Sequence, residues 1–238
     1  ELRMESGDGE RRAILPHAGN IIGLGMAPFI MQVTNSLVSI SCNQVLMATG
    51  GAMYVSVMTI VNPARQILDT PTMAIADGAS PVVSFNYGAE KPDEVKKAIR
   101  IMAMIGMSYT VLMWLFIEWK PGILIGIFTS DPVLKDMALR PLHLYFFAFI
   151  FQSFQIVGQT VFKALNKKNF AIFFSLFRKV VMVVPLTYML PYLFHLGTDG
   201  VFMAEPISNL VGGIACFTTM ILTVMPELNA MKKRKQEA

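Results

Sequence analysis

From Ala13 to Ala64 the chain carries no Asp, Glu, Lys or Arg. A helix crossing a bilayer needs roughly 20 predominantly apolar residues. The run is too long for one crossing, and Thr49-Gly50-Gly51 divides it in two. The same reading along the rest of the chain gives six apolar segments: 21–48, 54–83, 101–116, 142–162, 170–194 and 201–225. Pro63 or Pro71 is expected to bend the second, because proline removes a helical donor and crowds the preceding turn. Only 15% of the residues are charged and 54% are apolar or aromatic, where soluble domains carry about 25% charged residues. Six helices apolar all round leave no solvent face, which sets aside a soluble bundle. The segments are long and do not alternate, which sets aside a β-barrel. The expected fold is an all-α polytopic membrane protein: a cytoplasmic linker or tail at 1–20, a six-helix transmembrane lobe at 21–225 and a basic cytoplasmic tail at 226–238.

The loops orient it. Numbered alternately from the N-terminus, one set of compartments holds Arg3, Arg11, Arg12, Lys91, Lys96, Lys97, Arg100, Lys163, Lys167, Lys168, Lys232, Lys233, Arg234 and Lys235. The opposite set holds Lys120, Lys135 and Arg140. Positive residues collect on the cytoplasmic side, so both termini of the segment are expected there. The basic run after the last span reads as an orientation anchor, and no nucleic-acid partner is expected. Between the third and fourth spans, a short interfacial helix is expected after Asp131, with Ser130 or Asp131 as its cap.

Polar groups at membrane depth are costly and line protein-enclosed paths or pair with one another. Arg65 and Asp69 are four apart on one helical face and are expected to pair. Asp77 lies eight further on, read as roughly the same face. Such a stripe can bind a proton, a cation or a cationic solute; the plain alternative is an Arg-Asp pair that locks helix packing. Arg178 and Lys179 can snorkel to the cytoplasmic face, or one of them can partner an acid across the bundle. Glu205, before Pro206, reads either as an acid at a helix start or as a carboxylate at a cavity mouth. Gln32 and Asn35 stud the first span, and Gln152, Gln155 and Gln159 share a face of the fourth. They serve as interhelical glue or as a cavity wall. The candidate solute and ion path is therefore Gln32, Asn35, Asp69, Asp77, Gln155, Gln159 and Glu205.

Signatures of catalysis are absent. No GxGxxG, Walker A, HExxH or CxxC pattern occurs, and His17, His143 and His195 are dispersed. Cys42 and Cys216 sit in apolar stretches and read as small buried hydrophobes. Neither an enzyme nor a resident metal or cofactor is expected.

Four segments carry a family resemblance. Pro81-Val82-Val83-Ser84-Phe85-Asn86-Tyr87-Gly88-Ala89 resembles the P-I-x-x-Y-N-Y-G-A segment that ends a long helix in MATE-type (multidrug and toxic compound extrusion) transporters. Phe128-Thr129-Ser130-Asp131 resembles L-F-T-x-D of that family. Phe162-Lys163-Ala164-Leu165-Asn166-Lys167 resembles F-Q-A-L-G-K. Gly200-Val201-Phe202-Met203-Ala204-Glu205-Pro206-Ile207-Ser208 resembles G-V-W-x-A-x-P-x-A/S. The resemblance implies one six-helix lobe, the second, of a twelve-helix transporter. It also implies a solute path between two lobes that rock against each other, and export of bulky organic cations driven by inward H⁺ or Na⁺. The coupling ion would be H⁺ or Na⁺. The implied partners are the other six-helix lobe (on the same chain or a separate one), small organic cations and membrane lipids. The implied location is a bacterial inner membrane.

This sequence departs from the family pattern at informative places. Some Na⁺-coupled relatives carry acids on the helices matching the first and fourth spans; neither span here has one. Asp77 stands where Gln or another neutral residue is usual, Lys163 where Gln is usual, and Asn166 where Gly is usual. Two other readings stand beside the antiporter: a flippase for lipid-linked precursors, which needs a more basic cavity, and a non-transporting membrane subunit that scaffolds a partner.

Overall fold

The computed structural model describes residues 8–237, with side-chain placement from Gln32 onward apart from residues 168 and 237, and at Phe29. Among the described residues the chain is helical almost throughout, without strands. The helices are α1 (Asp8–Gly88), α2 (Pro92–Trp119), α3 (Pro121–Phe128), α4 (Pro132–Phe146), α5 (Gln152–Ala164), α6 (Lys168–Leu176), α7 (Val184–Tyr192) and α8 (Gly197–Glu237). A 3₁₀ turn, Phe149–Phe151, precedes α5, and a π-helical stretch, Phe177–Val183, joins α6 to α7.

These helices resolve into the six expected crossings. The apolar stretch Gln32–Gly88 has 57 residues, about 85 Å of helix at 1.5 Å per residue, against a hydrocarbon core of about 30 Å. It breaks at Gly51, whose φ of 74° lies in the left-handed region that suits a residue without Cβ. The two arms of α1 are the first and second spans. The chain stays helical through Pro63 and Pro71, and Gly51 is the one described residue of α1 with non-helical backbone angles. The third span is α2, opened by Pro92 with Asp93 and Glu94 in its first turn, where both pre-set φ and the helix dipole favour them. α4 and α5 form the fourth, bent by 46° at a short break. α6, the π stretch and α7 form the fifth, and α8 the sixth.

The segment after Asp131 corrects one expectation. Asp131 does cap α4, its Oδ1 accepting from the Val133 amide at 2.9 Å. Yet α4 is no short interfacial helix: it runs to Phe146 and opens the fourth span. The short helix is α3, which precedes Asp131. Asn166, which stands where the family pattern has Gly, takes left-handed backbone with φ 58°. α8 continues past the last apolar residues to Glu237, so the basic run 232–235 is helical.

Burial is inverted relative to a soluble bundle. Leu112, Ile127, Leu193 and Leu222 are each more than 60% exposed, while Arg65, Asp69, Arg178 and Glu205 are buried. Large apolar side chains face outward because lipid tails solvate them; charges turn inward because lipid does not. Two apolar clusters make the interior. One joins α1 (Val45, Val57, Leu68), Ile117, Leu142, Phe146 and Val201-Phe202. The other joins Ala76, Val83, Ile99, Met102, Ile156, Phe162, Cys216 and Met220. The second arm of α1, the fourth span and α8 each run from the first cluster into the second. Between the two clusters they carry, respectively, Arg65 and Asp69, Gln152 and Gln155, and Glu205 and Asn209. A polar layer thus crosses the lobe between two dry halves. Close approach comes from small residues: a Cβ on Gly158 would lie 2.8 Å from Cys216 Sγ, and one on Gly213 would lie 2.6 Å from the Phe151 carbonyl oxygen.

Candidate solute and ion site

The polar layer lines a cavity of about 430 Å³. Its charged part starts from Arg65. The guanidinium Nε donates to Asp69 Oδ2 at 3.1 Å, Nη1 to the Tyr145 hydroxyl at 3.2 Å and Nη2 to Gln152 Oε1 at 3.4 Å. Nη1 also lies 2.5 Å from Glu205 Oε1. Gln152 Nε2 donates back to Asp69 Oδ2 at 3.3 Å, and the Tyr145 hydroxyl donates to Asn62 Oδ1 at 3.3 Å. Asp69 Oδ1 has no hydrogen-bond partner among the described residues.

Glu205 gathers cations. Its Oε1 accepts from Arg178 Nη1 at 2.8 Å and Lys179 Nζ at 3.1 Å in addition to the Arg65 contact. Arg178 Nη1 also donates to Asn209 Oδ1 at 2.5 Å. Consecutive side chains on an α-helix point about 100° apart and do not share a target. Arg178 and Lys179 do share one, and they lie in the π stretch, whose wider turn reduces that angle. Such turns recur at functional sites.

Of the sequence candidates, Gln32, Asn35, Asp69, Gln155, Gln159 and Glu205 all line this cavity. Gln155 is 2% exposed, and neither of its amide atoms has a hydrogen-bond partner among the described residues. Asp77 does not join them. It is exposed and does not line the cavity, because eight residues advance an α-helix to about 80° off the starting face. Glu205 is not at a helix start either: α8 begins at Gly197, two turns earlier. Arg178 and Lys179 take the second of their two readings, partnering the acid Glu205 across the bundle. Arg65, Tyr145, Gln152, Arg178, Lys179 and Asn209 complete the site and were not among the candidates. A signal for Arg178-Lys179 existed in the sequence, two adjacent cations inside an apolar span, but their acid lies on another helix.

The MatE family profile matches residues 28–189. The chain belongs to the MATE family. Family members are transporters, not enzymes. A curated protein named "FAD transporter" from Shewanella oneidensis is 24% identical over 153 residues, which is 64% of this chain and 33% of that protein. The fold matches the crystal structure of a MATE protein in the bent conformation with TM-score 0.81 and 21% identity, over 98% of this chain and 49% of the other. It matches an outward-facing multidrug resistance MATE transporter with TM-score 0.79 and 22% identity, over 98% and 50%. A transporter from Pyrococcus furiosus, described by the reverse polarity of its binding pocket, matches with TM-score 0.78 and 20% identity over 87% and 46%. This chain spans about half the length of those structures and a third of the curated relative. An all-α, six-span, multi-pass membrane lobe of a MATE-type transporter is therefore what the sequence encodes.

Proposed function

We propose that this chain is the second lobe of an ion-coupled secondary transporter that exports bulky amphipathic organic solutes in exchange for H⁺ or Na⁺. The observation that carries the reading is Asp69: a buried carboxylate on the cavity wall, with Oδ2 held by Arg65 and Gln152 and Oδ1 left open. A proton or Na⁺ taken up on Asp69 weakens its hold on Arg65. Arg65 also contacts Glu205 on α8, so the change reaches across the lobe. A group whose loading alters contacts between two helices biases a two-state equilibrium, which is the requirement for alternating access. Gln32, Asn35, Gln155 and Gln159 provide amide contacts along the path. The first six-helix lobe closes the path, whether on the same chain or a separate one. On this reading the lobe sits in a bacterial inner membrane, as the family resemblance implies, with both termini of this segment cytoplasmic, which the excess of Lys and Arg in one set of loops supports.

Multidrug efflux of organic cations is the solute class the family resemblance implies. A flavin nucleotide is the second, favoured by charge. Arg65, Arg178 and Lys179 outnumber Asp69 and Glu205 in the layer, and the curated relative carries the name FAD transporter.

The test is transport by the full-length natural protein in proteoliposomes under an imposed pH or Na⁺ gradient, with a fluorescent dye as solute. Wild type moves dye while the gradient lasts. Asp69→Asn cuts the gradient-driven initial rate at least about tenfold, equivalent to ~1.4 kcal/mol. Gradient-driven rates equal to wild type at equal protein remove Asp69 from coupling.

A further inference from the structure

We infer that Arg178, Lys179 and Asn209 form an anion-binding subsite that Glu205 occupies as a placeholder, and that a carboxylate or phosphate group of the solute takes its place. The inference rests on the reading of this cavity as the solute path and names the chemistry recognised there.

The geometry argues for displacement rather than for a permanent lock. One oxygen, Glu205 Oε1, is shared by three cationic groups at 2.5, 2.8 and 3.1 Å. An incoming anion that takes Arg178 and Lys179 does not strand Glu205, because Arg65 still holds it. Removing one partner of a buried ion pair is costly only when the other is left uncompensated. The charge count runs the same way. Three cations face two carboxylates, Asp69 and Glu205, so the unloaded layer is one positive charge in excess. A monoanion brings it to neutrality, among charged groups that are themselves buried or nearly so.

The surrounding structure prepares the subsite. The π stretch aims two adjacent cations at one point. Asn209, 4% exposed and one turn along α8 from Glu205, accepts from the same Arg178 Nη1 and holds it in place. Gly212 lets the Arg178 stem lie flat on α8, since a Cβ there would come within 3.2 Å of Arg178 Cγ. Lys179 has 20% of its side chain exposed, against 10% for Arg178, and is the cation a solute meets first.

The experiment compares two dyes with the same ring frame and opposite charge, fluorescein and rhodamine 123. Their binding to the detergent-purified full-length protein is read by fluorescence polarisation. Wild type is expected to bind fluorescein more tightly than rhodamine 123. Lys179→Gln weakens fluorescein about tenfold and leaves rhodamine 123 no weaker, as expected for loss of one desolvated charge contact. Glu205→Gln keeps the placeholder's shape but removes its charge, so it competes less for Arg178 and Lys179 and tightens fluorescein. Lys179→Gln decides alone if Glu205→Gln does not fold. Unchanged fluorescein affinity in Lys179→Gln, or tighter binding of rhodamine 123 than of fluorescein by wild type, overturns the subsite. The transport reading fails separately: it falls if neither dye moves under a gradient in proteoliposomes, whatever the binding shows.

Discussion

Asp69 and Glu205 are carboxylates in the same layer, and their partners give them different work. Glu205 is saturated by three cations, whereas Asp69 keeps an oxygen unpaired among the described residues. The Arg65-Asp69 pair was legible in the sequence because i,i+4 spacing fixes it locally. The partners of Glu205 were not, since they come from α1 and the π stretch and meet only through packing. Asp77 misled because spacing by eight looks like two turns yet falls short of a common face. At this scale Gly213 gives a sharp prediction. Its Cβ would collide with a backbone oxygen of Phe151, which cannot rotate away. Gly213→Ala should destabilise the protein by about 1–3 kcal/mol and lower the thermal midpoint in detergent. An unchanged midpoint would mean α8 and the 3₁₀ turn are not in contact.

Elements were the most legible level. Apolar length gave six spans, and the helices divide into six once α1 is split at Gly51 and α4 and α5 are joined. What the sequence left unread is how spans deviate from ideal helices. The π stretch has no compositional mark beyond Pro185 after it and two cations within it. The helix after Asp131 was expected from its cap alone, which says where a helix starts and not how far it runs; its C-terminal turns are buried at Ala138, Leu142 and Phe146. Two substitutions test the boundaries. Gly51→Ala places a Cβ at φ 74°, ψ −172°, backbone angles essentially reserved for glycine, and should cost about 1–3 kcal/mol. Asp131→Ala removes the cap on the Val133 amide and should cost about 1 kcal/mol. Both are read from thermal midpoints against wild type; if neither moves, the break and the cap do not lie where the fold puts them.

Over the whole molecule, one end of the bundle is tied together by the last turns of α8. Glu227 of α8 accepts from Tyr87 at the end of α1 and from Lys167 in the α5–α6 turn. Lys232 pairs with Asp93 of α2 at 2.9 Å. Burial pushes the Glu227 carboxyl up, but its bonds to Lys167 and Tyr87 outweigh burial and hold it below the usual glutamate range. A depressed folded-state value means the contribution is present above the unfolded carboxylate pKa of about 4.3. It is lost as pH falls from there through the lower folded value. Glu227→Gln should therefore lower the thermal midpoint at pH 7 and narrow its difference from wild type as pH drops below about 4. A difference constant from pH 7 downward would contradict the clasp.

The central claim is that solute passes through the cavity between the two apolar clusters. The most direct measurement uses Ser39, which is exposed on the cavity wall and lies apart from the charged network. In full-length protein with Cys42 and Cys216 replaced by Ala, Ser39→Cys is treated with a bulky maleimide, with and without saturating transported dye. The account predicts that modification blocks transport and that bound dye slows the modification at least about tenfold, as expected when site occupancy excludes the reagent. Equal labelling with and without dye, with transport intact after modification, would contradict it.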